Sequence, residues 1–164
     1  MTRYFVDAEF DEDGRTINLI SLALVCQDGR ELYVCNTATD ERFVQPWIRD
    51  NVLPMLPPRT DPAWMTRGGI RAAVEDFLDV RAHGKPEFWC YYGASDWVVF
   101  YQLWGRLLDL PKGYPKWFHE LKQLAADVGN PPLLAKPEGA HSALVDACWN
   151  RDNYNYLIRI PRIP

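Results

Sequence analysis

The pattern of apolar and polar positions changes period about a quarter of the way along the chain. Arg3 to Phe10 carries Tyr4, Phe5, Val6 and Phe10, residues that suit a pleated, half-buried surface, and predicts a first strand. Asp11-Glu12-Asp13-Gly14 predicts a turn. From Thr16 to Gln27 the run INLISLALVCQ places apolar side chains on both parities, which predicts a strand buried on both faces. Asp28-Gly29 reads as a two-residue hairpin turn, with Glu31 to Asn36 as the returning strand. The chain thus opens as an antiparallel meander.

Beyond it the period becomes helical. Glu41 to Leu53 predicts a short helix, and the four prolines of residues 54–62 predict a loop. Over Thr66 to Val80, Ile70, Val74, Phe77 and Leu78 form one stripe, with Thr66 as N-cap. Glu87 to Tyr92 predicts a strand, and Ser95 is expected to cap a largely buried helix from Asp96 to Leu108. Further helices are expected over 117–128 and from about Ser142 into the 150s, with a proline-rich loop over 130–140 between them. The tail after Ile160 holds Pro161 and Pro164 and is not expected to be helical throughout. A meander followed by helices alternating with a strand predicts an α/β fold, a mixed sheet flanked by helices. The length suits a single domain over residues 1–164.

Composition narrows the function classes. With 48% apolar residues the chain can bury a core without disulfides or a structural zinc. No apolar run approaches the roughly 20 residues of a membrane span. Met1-Thr2-Arg3-Tyr4 lacks the apolar core of a signal peptide, so no membrane partner and a cytoplasmic location are expected. The four cysteines include no CxxC pair. The hairpin register puts Cys26 opposite Glu31 and Cys35 opposite Leu22, too far apart to bridge, so free thiols are expected. A net charge of −4 argues against a general nucleic-acid coat protein. The acids are concentrated, however, with ten against five bases in residues 1–50. Such an excess is either a solvated face or a metal-binding cluster.

Three short motifs carry candidate chemistry. Asp7 and Glu9 are two apart on a strand, so both carboxylates project from one face. At about 4 Å two such charges repel by about 4 kcal/mol at an effective dielectric near 20, a cost that a divalent cation relieves and an exposed strand end avoids. Asp96 follows the strand 87–92, at the carboxyl end where α/β sites gather. It also suits a plain first-turn charge on a helix. His141 and Asp146 are five apart. On one helix they diverge by about 140°. They converge only if His141 sits in the preceding loop.

Taken together, Asp-x-Glu on a strand, Asp at a strand–helix junction and His-x4-Asp at the last helix resemble the DEDDh exonucleases, a 3′→5′ exonuclease superfamily with a ribonuclease H-like fold. Within it, the stretches YFVDAEFDEDGRTINLISLALVCQDGRELYV, WIRDNVLPMLP, YYGASDWVVFYQLWG and HSALVDA resemble the actinobacterial ribonuclease AS family of polyadenylate-specific 3′ exoribonucleases. The resemblance covers residues 3 to about 149. It implies a ribonuclease H-like mixed sheet, antiparallel meander first and parallel strands after. It also implies two Mg²⁺ or Mn²⁺ ions on Asp7, Glu9, Asp96 and Asp146, with His141 taking a proton from the attacking water. The implied partner is a single-stranded RNA 3′ end, the product a nucleoside 5′-monophosphate and the assembly a homodimer.

Three apolar residues are weighed as substrate contacts. Phe10 either swings out to stack on a base or packs in the core. Leu22 either wedges between terminal bases, as the resemblance implies, or packs in the sheet. Trp97 beside Asp96 is either a contact or core. A DNA exonuclease of the proofreading type shares these motifs, and a catalytically inactive binding module is a further alternative. The presence of all five polar motif residues argues against the second.

Overall fold

The computed structural model describes residues 1–139 and 141–161. The meander forms as β1 (Thr2–Glu12), β2 (Ile17–Cys26) and β3 (Glu31–Asn36). The hairpin loop is one residue longer than the sequence suggests. Gly29 N–H donates to Cys26 C=O at 3.0 Å, and Cys26 N–H to Arg30 C=O at 2.8 Å. Gly29 takes a positive φ of 93°, which glycine adopts without a Cβ penalty. A type I turn followed by such a residue makes a three-residue loop. The register therefore shifts by one: Val25, not Cys26, lies opposite Glu31, and Cys35 faces Ser21 rather than Leu22. All four thiols are free.

Residues 41–45 stay irregular, and α1 is confined to Pro46–Asn51, because Pro46 suits a first helical position and Val52 passes into a 3₁₀ turn, Leu53–Met55. The short β4 (Trp64–Met65), between the proline-rich loop and the next helix, pairs with the end of β3. Then come α2 (Arg67–Leu78), with Thr66 accepting from Gly69 N–H as its cap, α3 (Val80–His83) and β5 (Pro86–Cys90).

The next helix, α4, runs Ala94–Tyr101, shorter than the sequence suggests. Its N-cap is Gly93, not Ser95. Gly105, at φ 111°, ends the helical path before the 3₁₀ turn Leu107–Asp109. In place of a helix from residue 117, His119–Glu120 forms β6, and α5 starts only at Leu121 (Leu121–Asp127). The His119 ring stacks on Trp89 of β5 at 4.4 Å, which draws this segment to the sheet edge. The last helix, α6, is Ala143–Leu157. The expected non-helical tail is irregular at Pro161, and the rest of it lies outside the described residues.

Among the described residues six strands are ordered β4-β3-β2-β1-β5-β6, with β1–β2 and β2–β3 antiparallel and the other pairs parallel. Alternation splits the central strands between two cores. Tyr4, Val6, Leu22, Leu24 and Phe88 pack under α2 and α4. Phe5, Ala23, Val25 and Trp89 pack under α5 and α6. This is the mixed, helix-flanked α/β sheet expected. Among the described residues no helix is long and apolar enough to cross a membrane.

Candidate active site

The site forms where a strand ladder stops. β1 pairs with β5 only as far as Phe5 opposite Trp89, yet β1 continues to Glu12. Backbone groups beyond that point need other partners. The Ala8 N–H donates to Asp96 Oδ1 at 2.7 Å, and the Val6 carbonyl accepts from Asn150 Nδ2 at 3.2 Å. Side chains of α4 and α6 thus complete the strand and are held against it. Asp7 and Glu9, which share the Phe5 face of β1, point at α6, where Asp146 lies in the first turn.

One carboxylate oxygen from each of Asp7, Glu9 and Asp146 lies within 4.8 Å of the others. Asp96 lines the same cavity, of about 300 Å³, together with Phe10, Trp47, Tyr91, Lys136, His141 and Asn150. A larger cleft of about 550 Å³ is lined by Asp11, Asp13 and Asp40 among others, but among the described residues their carboxylates do not converge in this way.

The electrostatics reflect the crowding. Burial, and then the charges of Asp96, Asp146 and Glu9, raise the Asp7 carboxyl well above its ordinary range. Glu9 is pushed up to about 7 by burial and by Asp146 and Asp96. Asp96 also reaches about 7, mainly by burial, although its bond from Ala8 N–H pulls it down. Lys136 is the one Lys or Arg lining the cavity among the described residues, and it pairs with Asp146.

His141 sits outside α6, as convergence with Asp146 requires. Its φ is 72°, its side chain is exposed, and its own N–H donates to Asp146 Oδ2 at 2.9 Å. The indole of Trp47 meets the imidazole edge-on, with centroids 5.0 Å apart.

The apolar assignments divide. Phe10 follows a bulge between Glu9 and Phe10, lines the cavity and packs partly on the core. Leu22 is 0% exposed on the central strand β2 and cannot wedge between bases. Trp97 is buried and stacked on Phe100, with centroids 5.2 Å apart, and belongs to the core rather than the substrate surface. In both cases the strand or helix continues inward beneath flanking elements, which leaves the side chain no open face.

Several site residues escaped the sequence reading. Trp47 opens the stretch WIRDNVLPMLP but was not singled out, and Lys136 lies in the proline-rich loop outside any motif. Glu120 binds the N–H groups of Tyr92 and Gly93, each at 3.0 Å, and so fixes the turn that delivers Asp96. Gly93 is packed so tightly on β5 that an added Cβ would lie 2.1 Å from Cys90 Cβ. The turn residues Tyr92-Gly93, three positions before Asp96, were the available signal.

Comparison with known proteins yields no matching family model. The 3′-5′ exoribonucleases of two Mycobacterium tuberculosis strains, CDC 1551 / Oshkosh and ATCC 25618 / H37Rv, are each 44% identical to the chain over 145 residues, 88% of this chain and 86% of theirs. The crystal structure of cell-death related nuclease 4 superposes with a TM-score of 0.59 at 16% identity, over 96% of this chain and 64% of that one. That likeness is one of fold.

Proposed function

The chain belongs to the 3′-5′ exoribonuclease family, and from that premise we propose that its carboxylate cavity hydrolyses single-stranded RNA from the 3′ end, in a metal-dependent reaction of the DEDDh type that releases nucleoside 5′-monophosphates. The observation that carries this reading is the convergence of Asp7, Glu9 and Asp146 beside Asp96. The donor set is all oxygen, the chemistry that Mg²⁺ and Mn²⁺ prefer. Burial and then the charges of neighbouring acids raise the carboxyls of Asp7, Glu9 and Asp96, and for Asp7 and Glu9 Lys136 offsets only part of it. Asp7, Glu9, Asp96 and Asp146 would hold two such ions, which supply polarisation of the scissile phosphate and relief of the charge developing on it.

The chain's own groups do the rest. His141 stands at the mouth of the cavity, tied through its backbone to Asp146 and flanked by Trp47. There its imidazole takes the proton of the attacking water. Phe10, beside the acids, offers a ring face to the terminal base. Asp96 is kept in place by Ala8 N–H and, through the preceding turn, by Glu120. Likeness to the ribonuclease AS family adds an adenylate preference and a homodimeric assembly to the proposal.

The test is incubation of the protein with 5′-labelled oligo(A), oligo(U) and oligo(dA) in Mg²⁺, with and without EDTA. A ladder shortening from the 3′ end of oligo(A), abolished by EDTA, is expected. Equal degradation of oligo(dA) would point to a DNA exonuclease, and degradation in EDTA would end the metal-dependent reading.

A further inference from the structure

The segment before His141 is strapped across α6. Leu134 N–H donates to Asn153 Oδ1 and the Leu134 carbonyl accepts from Trp149 Nε1, both at 2.9 Å. Downstream, His141 N–H is fixed on Asp146. Lys136 lies between these two anchors, and its ammonium enters the carboxylate cavity. It pairs there with Asp146, whose side chain is 8% exposed, while standing 4.2 Å from the centroid of the Trp149 ring. The ammonium thus has two partners, one a buried acid of the cluster and the other an aromatic face just outside it.

We propose that Lys136 is a built-in, exchangeable counter-cation: it occupies the acid cluster of the metal-free protein and is expelled from Asp146 when divalent cations bind. The proposal rests on the metal-binding reading above. Two considerations support it. Four carboxylates around one small cavity repel one another, and a resident cation lowers that cost. A cation already on Asp146 also competes with any incoming metal for the same oxygen. Trp149 makes the exchange feasible. A Lys ammonium is attracted to the electron-rich face of an indole, so the displaced side chain keeps a partner without leaving the segment's anchors. About half the Lys136 side chain is exposed, which leaves it room to turn outward.

The test is calorimetric titration of metal-free wild type, Lys136→Met and Lys136→Arg with Mn²⁺, without nucleic acid. Lys136→Met is expected to bind about tenfold more tightly than wild type, which corresponds to about 1.4 kcal/mol. Lys136→Arg retains the charge and should stay within about threefold of wild type. In parallel, wild-type protein is acetylated with an N-hydroxysuccinimide ester and its lysines are quantified by mass spectrometry. Saturating Mn²⁺ should raise the rate at Lys136 several-fold and leave the exposed Lys112 unchanged. Should Lys136→Met not fold, this footprint on the wild type decides. Mn²⁺ binding to wild type with equal or weaker binding to Lys136→Met overturns the exchange but not the metal site. So does tight binding by Lys136→Arg, or a Lys136 footprint indifferent to metal. No Mn²⁺ binding by wild type overturns both.

Discussion

Replacing Glu9 by Gln removes one charge from the acid cluster and should stabilise the protein when metal is absent. In the folded state Glu9 titrates at about 7 against an ordinary 4.5, because it is buried and faces Asp146 and Asp96. A raised carboxyl pKa means that the folded state holds a proton which the unfolded state gives up. The full stability is present below about pH 4.5 and is lost as pH rises toward about 7. At about 1.4 kcal/mol per pH unit, wild type forfeits about 3 kcal/mol by pH 8. Gln carries no such penalty, although burying its amide takes back part of the gain and leaves about 2 kcal/mol. For a chain of this length that is roughly 4–8 °C in Tm. Differential scanning calorimetry in EDTA at pH 5 and pH 8 reads it. Glu9→Gln should melt above wild type at pH 8, and the gap should shrink to under about 1 kcal/mol at pH 5. Saturating Mn²⁺ should then reverse the order, since wild type gains binding energy that the variant has lost. A Glu9→Gln protein no more stable than wild type at pH 8, or a gap of equal size at both pH values, would refute the reasoning.

His141→Ala should lower kcat by roughly 10²–10⁴-fold with little change in RNA affinity. Because Glu9 and Asp96 titrate near neutrality without metal, the two proteins must be compared at saturating Mn²⁺. Gly93→Ala would force a Cβ against Cys90 and should cost about 1–3 kcal/mol in urea denaturation, with weaker Mn²⁺ binding because Asp96 moves with the turn. Light scattering at micromolar concentration should report about twice the 19.0 kDa chain mass, and a monomer would count against the homodimer.

Much of this was legible in the linear pattern. Apolar runs and a turn signal in residues 3–36 defined the meander, since a strand buried on both faces must read as INLISLALVCQ does. Strand parity alone put Asp7 and Glu9 on one face, and the helical stripe of Ile70, Val74 and Leu78 marked α2. Asp7, Glu9, Asp96, His141 and Asp146, singled out by their motifs, line one cavity. Tertiary structure decided what depends on partners distant in sequence. Whether Leu22 and Trp97 meet solvent depended on which helices cover the sheet, and they do not meet it. The hairpin register turned on one residue of loop length, set by the left-handed Gly29. β6 exists because His119 finds Trp89, a stack no local propensity encodes. Asp96 reaches the cluster because β5 stops short and leaves the Ala8 N–H needing an acceptor. Lys136 lay in a proline-rich stretch with no periodicity to announce it. Its place in the acid cavity follows from hydrogen bonds to α6 and from the charge already gathered there.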